Sequence, residues 1–116
     1  MDDMAAYSQS KLAITMWSHI MPEGLPDGPM VVSVNPGSLL ASKMVKEGFG
    51  IAGNDIGIGA DILLRAALSD EFKGKSGAYF NNDAGNFGPP HPDAMDDAKA
   101  QAVVAGIEAV LAKLSV

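Results

Sequence analysis

Tyr7 and Lys11 stand four residues apart in the stretch AAYSQSKLAITMW, Ala5 to Trp17. On a helix that spacing puts both side chains on one face, with Cβ atoms about 6 Å apart. A phenol ordinarily loses its proton near pKa ~10. An ammonium held beside it favours the phenolate and lowers that value. A tyrosine tuned this way can give a proton to a carbonyl oxygen or take one from an alcohol. Ser8 and Ser10 are small, and Ala5, Ala6 and Ala13 let another group pack closely against the same segment. Taken bare, the spacing also fits a half-buried tyrosine beside a solvated lysine, so the pair alone does not decide between chemistry and packing.

Other candidates are weaker. GFGIAG, Gly48 to Gly53, matches the glycine pattern of a dinucleotide-binding turn. Such a turn must follow a buried strand and open a helix. Here Lys43, Lys46 and Glu47 precede it, and Asn54 and Asp55 follow its last glycine. It reads instead as a glycine-rich loop. His19 and His91 are the only histidines, and a metal site would need Asp83 or Asp93 to join one of them. Distant histidines of this kind read as surface or turn residues, so no metal is expected. NNDAGN, Asn81 to Asn86, lacks the spaced acidic ligands and terminal glutamate of a calcium loop.

Composition removes whole classes of function. The chain has 116 residues, 47% of them hydrophobic, which suits one domain with a buried core. Fourteen acidic against eight basic residues give a net charge of −6. That balance argues against nucleic acid and anionic membranes, which select clustered Lys and Arg. There is no cysteine, so disulfides and thiolate chemistry are excluded. No apolar run approaches the roughly 18 residues of a membrane span. The Met-Asp-Asp start lacks the basic region of a signal peptide, and a cytoplasmic location is expected.

The elements that must position the pair emerge from local patterning. Ala5 to Met21 reads as a helix capped by Asp2 or Asp3 and ended by Pro22 and Gly24. Met30 to Val34 is short and apolar on both faces, as in a strand buried in a parallel sheet. Asn35-Pro36-Gly37 stops it. A short helix and the glycine-rich loop occupy Ser38 to Gly53, and Asp55 caps a helix to about Leu68. Its inner side is expected at Ile58, Ile62, Leu63, Ala66 and Ala67. Ser76 to Phe80 reads as a second strand and Asn81 to Pro92 as loop. Asp93 is expected to cap a last helix with an apolar stripe from Val103 through Leu114. The alternation implies α/β with a parallel sheet. Two strands buried on both faces need neighbours, so residues 1–116 read as a single partial domain whose other strands are missing or come from another copy.

The order YSQSKLA, buried strand, NPG, IGADILLRAALSD, SGAYFNND and C-terminal helix resembles the short-chain dehydrogenase/reductase family, closest to its retinol-dehydrogenase-like members. The resemblance covers nearly all of Ala5 to Val116. It implies the C-terminal portion of a Rossmann-like doubly wound sheet, with the N-terminal dinucleotide-binding half missing. It gives Tyr7 the role of general acid/base, and Lys11 the tasks of lowering its pKa and binding the nicotinamide ribose. Pro36, Gly37 and the backbone at Leu39 would line the nicotinamide site. The family's threonine after Pro-Gly is absent; Ser42 is the nearest hydroxyl. The glycine-rich region becomes a lid over substrate.

The activity implied by the resemblance is that of an NAD- or NADP-dependent oxidoreductase, of which this chain would be a fragment. The intact enzyme would move hydride between nicotinamide and a small carbonyl or alcohol. By itself the chain would bind no cofactor and be inactive. The alternative is a non-catalytic oligomerisation module of the same fold. The face of the first helix carrying Met16, Trp17 and Ile20 would then seek cover from another chain, giving a homo-oligomer. A third reading keeps the fold for epimerisation or dehydration, and the absence of a separate substrate domain counts against it.

Overall fold

The computed structural model describes residues 2–115. Helix α1, Asp3–Ile20, begins where the Asp2 carboxylate accepts the Ala5 N–H at 2.7 Å, meeting one of the orphan donors of the first turn. It ends as Pro22 enters a 3-10 turn at Met21–Gly24. Strand β1, Ser33–Asn35, is shorter and later than the apolar run suggests. Pro29 has no N–H to give, and the Val31 N–H goes to the Ser76 hydroxyl, so regular pairing starts only at Ser33. Helix α2, Lys43–Gly48, is capped by Ser42, and α3, Ile56–Leu68, by Asp55. Strand β2, Tyr79–Asn81, pairs with β1 in parallel, Ser33 opposite Tyr79.

Two expectations need correction after β2. Asn81 to Pro92 is not all loop: Asn86–Phe87 forms a short strand, β3, antiparallel to β2. The sheet is therefore mixed, in the order β1-β2-β3. Gly85, at φ 75°, supplies the left-handed residue that lets the chain reverse over so few positions. Asp93 does not cap the last helix. It lies in a 3-10 turn, Pro92–Met95, and Asp96 caps α4, Asp97–Leu114, accepting the Lys99 N–H at 3.1 Å. Pro92 fixes the backbone of that turn and so delays the helix by one turn.

The strands explain the layering. Val32 and Val34 pack with Ile62, Phe72, Phe80 and Phe87 beneath α3, while Ser33 turns to α1, its hydroxyl hydrogen-bonded to that of Ser18. One face of the sheet thus meets α3 and the other α1, which itself packs against α4. The Phe72, Phe80 and Phe87 rings lie 5.0–5.3 Å apart in tilted and edge-to-face pairs, the arrangement favoured by aromatic quadrupoles. A second core joins Met16 of α1 to Ala94 and Ala100, with Leu12, Ile20 and Val103 against it.

Two apolar stripes are only partly covered. In α3, Gly59 and Ile62 are buried and Ala66 packs on the aromatic core, whereas Ile58 and Leu63 are exposed. The i, i+3, i+7 row alone fits the single sheet beneath it. In α4, Ala100 and Val104 are buried, but Val110, Leu111 and Leu114 are exposed beyond the part packed on Met16. Among the described residues no helix is long and apolar enough to cross a membrane.

Candidate functional site

Tyr7 and Lys11 emerge from α1 on one side. The Lys11 ammonium sits 5.6 Å from the centroid of the Tyr7 ring, lying over the aromatic face. Both are exposed, Tyr7 to 41%, and they form one wall of an open cavity of about 1290 Å³. The opposite wall is the turn after β1. Pro36, Gly37 and Leu39 line it, as does Ser42 at the start of α2. All six residues singled out in the sequence therefore border the same space.

The turn has a defined shape because its backbone groups are claimed. The Asn35 side-chain oxygen accepts the Gly37 N–H at 3.1 Å, an Asx turn. Gly37 adopts φ 138°, a conformation that glycine tolerates and other residues resist. Leu39 is the only described non-glycine residue in the left-handed region, at φ 53°. Its carbonyl accepts the Asn54 N–H at 2.6 Å, and the Ala41 N–H reaches the Asn54 carbonyl at 2.7 Å. These two bonds hold residues 39–41 against 53–54 and fix Leu39 in its strained state, which costs about 1 kcal/mol. Ser42 uses its hydroxyl to accept the Val45 N–H at 3.3 Å, so it acts as a helix cap at the rim of the cavity.

The GFGIAG segment does a different job from phosphate binding. Gly48 ends α2, and no strand leads into the run. Gly53 lies at φ 80°, where an added Cβ would stand 2.8 Å from the Ala41 Cα and 2.8 Å from the Leu39 carbonyl oxygen. The last glycine of the pattern is there so that two backbones can touch.

The histidines stay away from the cavity lining. His19 pairs loosely with Asp97 at 3.6 Å and contacts the Gly77 carbonyl at 3.1 Å, while His91 caps the 3-10 turn before α4. Among the described residues no group of three or more His, Asp or Glu side chains converges on a common point. Trp17 is half-buried and lines the cavity.

Two further features bear on the site. The first is the outer edge of β1. Val31 O accepts from Gly77, Ser33 N donates to Ala78 and Asn35 O accepts from Asn82. The odd residues therefore spend their backbone groups on β2. By alternation Val32 and Val34 turn theirs to the other side, where no described strand lies and the cavity opens. The second is Asp83, whose carboxylate reaches across from the turn after β2 to Ser38 and Asn35. NPG announced the end of the strand; nothing in NNDAGN announced the partner of the turn that follows it. Comparison with protein families, with curated proteins and with solved structures found no match to this chain.

Proposed function

We propose that this chain carries the proton-handling, nicotinamide-facing side of a short-chain dehydrogenase/reductase site that acts on a small carbonyl or alcohol with NAD or NADP. One observation carries the reading: Tyr7, Lys11 and the Asn35–Leu39 turn meet at a single cavity beyond the C-terminal end of a parallel strand. Open α/β sheets bind their ligands in such crevices. Helices on both faces of the parallel pair, and the bare edge of β1, support the view that the chain is the C-terminal portion of a Rossmann-like doubly wound sheet.

The cavity wall suits a nicotinamide nucleotide. The Leu39 N–H has no partner among the described residues, so it is a donor for a carboxamide. Lys11 has no carboxylate partner among them either, leaving its ammonium for ribose hydroxyls. Pro36 and Gly37 line the cavity with little side chain, which leaves room for a ring.

Lys11, Pro36, Gly37 and the Leu39 backbone would hold NAD(P), which would supply or accept the hydride at the substrate carbon. The remaining work belongs to the chain's own residues. As hydride reaches a carbonyl carbon, the Tyr7 hydroxyl passes its proton to the oxygen, and the carbonyl π pair becomes the new O–H bond. In the reverse direction Tyr7 takes the alcohol proton. Solvent water resupplies the Tyr7 proton after carbonyl reduction and removes it after alcohol oxidation, because the phenol is open to solvent. No strand–glycine loop–helix unit for a pyrophosphate is present among the described residues. That task would fall to other polypeptide, and no turnover is expected from these residues by themselves.

A second reading, a non-catalytic association module, draws on exposed apolar residues at Met4 and Ile14 of α1 and at Val110, Leu111 and Leu114 of α4. Its original location changes, because α4 of the same chain covers Met16 and Ile20. Sizing beside an NAD(P) titration separates the two: an oligomer without cofactor affinity favours the module.

The enzyme reading is tested in the gene product that carries this segment. Tyr7→Phe should lower carbonyl reduction by about 10²- to 10⁴-fold, the usual scale of a lost acid/base, with cofactor affinity held within about twofold. Wild-type turnover in Tyr7→Phe would refute it.

A further inference from the structure

Asp83 makes an unusual set of contacts for a turn residue. One carboxylate oxygen accepts the Ser38 N–H at 2.9 Å, and the other accepts the Ser38 hydroxyl and the Asn35 side-chain N–H, the latter at 3.1 Å. Its own N–H is anchored by the Asn81 side-chain oxygen at 3.0 Å. The neighbouring Asn82 donates its side-chain N–H to the Pro36 carbonyl at 2.9 Å. Residues 81–83 thus engage Asn35, Pro36 and Ser38 in turn, and Asn35 passes the constraint to Gly37. These contacts span 45 to 48 positions of sequence, so they are tertiary rather than local.

From this juxtaposition we infer that Asp83 is a positioning residue that fixes the Pro36–Leu39 turn in the shape the nicotinamide site requires. The inference rests on the proposed dehydrogenase function. A carboxylate suits the task because it accepts several hydrogen bonds at once and donates none. A carboxamide in its place would turn one N–H toward the Ser38 or Asn35 donors and leave a conflict. The Ser38 hydroxyl, the Ser38 amide and Asn35 all hold the Asp83 carboxyl below its ordinary range, so it is ionised at neutral pH and the full set of bonds is available. Directly after this anchored stretch comes Leu39, which lines the cavity, has a positive φ and has an N–H with no partner among the described residues. Loosening residues 36–38 therefore removes the support on the N-terminal side of the strained Leu39 and leaves only the bonds to Asn54 to hold it.

The test uses the whole chain, labelled with ¹⁵N, as wild type, Asp83→Ala, Asp83→Asn and Ser38→Ala. Hydrogen exchange at the Gly37 and Ser38 amides is compared with that at Val104 in the α4 core. Reduced nicotinamide mononucleotide is the ligand probe, monitored by shifts at Leu39. The expected result is exchange at Gly37 and Ser38 at least tenfold faster in both Asp83 variants, with Val104 unchanged. Probe binding should weaken at least fivefold, and Ser38→Ala should fall between. Unchanged exchange at Gly37 and Ser38 in Asp83→Ala overturns the inference. So does equal acceleration at Val104, which would make Asp83 a general stabiliser, and so does undiminished probe binding in a variant whose turn has loosened. A wild-type chain that shows no response to the probe at residues 36–39 counts against the functional reading and removes Asp83's part in cofactor placement. The exchange arm still decides whether Asp83 holds the turn.

Discussion

Replacing Gly53 by alanine should destabilise the chain far more than the same change at Gly50. Both glycines have positive φ, 80° and 68°, so both substitutions carry the left-handed penalty of about 1 kcal/mol for an L side chain. They differ in surroundings. Nothing lies within 4 Å of a Cβ built at Gly50. A Cβ at Gly53 would stand 2.8 Å from the Ala41 Cα, 2.8 Å from the Leu39 oxygen and 2.9 Å from the Ala41 nitrogen. These are backbone atoms, so no rotamer change can relieve the clash. The two segments must separate, which gives up the Asn54–Leu39 and Ala41–Asn54 hydrogen bonds. Each such bond contributes about 1 kcal/mol net. The expected losses are therefore roughly 3 kcal/mol for Gly53→Ala against roughly 1 for Gly50→Ala. Urea unfolding at constant m measures both. If the loop opens locally instead, the difference will appear as fast exchange of the Asn54 and Ala41 amides while the midpoint moves less. Equal midpoints and equal exchange for the two variants would refute the close approach, leaving Gly53 explained by its φ alone.

The same contacts set other outcomes. Ile62→Ala empties a fully buried site under the aromatic cluster and should cost about 2–5 kcal/mol by denaturant titration. Asp96→Ala removes the true cap of α4 and should cost about 1 kcal/mol, whereas Asp93→Ala should leave the helix start intact by amide exchange. The Arg65 guanidinium, bonded to Glu71 at 2.7 and 2.9 Å, holds the Glu71 carboxyl below its ordinary range. A carboxyl depressed in the folded state contributes stability above its unfolded pKa and loses it as pH falls through the folded one. The midpoint difference between wild type and Glu71→Gln should therefore be flat at neutral pH. It should close below about pH 4, and a gap that persists in acid would point to packing instead.

Much of the architecture was legible because it is local. Asp2, Ser42 and Asp55 cap helices in the way their residue types favour, and NPG stops a strand for reasons contained in three residues. The six site residues reached one cavity because helical spacing and a strand-end turn constrain them strongly. What failed depends on distant partners. Ile58 and Leu63 are apolar at helical spacing, yet only a neighbouring layer decides whether they are buried. The β3 strand exists because Phe87 completes a ring cluster with Phe72 and Phe80, which asparagine and glycine content conceals. Met16 and Ile20 read as a face that needs another chain, because the sequence does not say that α4 folds back onto α1. Asp83 was hidden for the same reason.

The two borders of the sheet are built unlike each other. β3 is two residues long and runs into Gly88, Pro89 and Pro90, and prolines have no N–H with which to recruit a further strand. Growth on that flank is blocked. On the other flank the main chain at Val32 and Val34 stands ready to pair, and it borders the same cavity as Tyr7 and the turn at Pro36. Enlarging the sheet on that flank and covering the Tyr7 phenol are therefore a single geometric event.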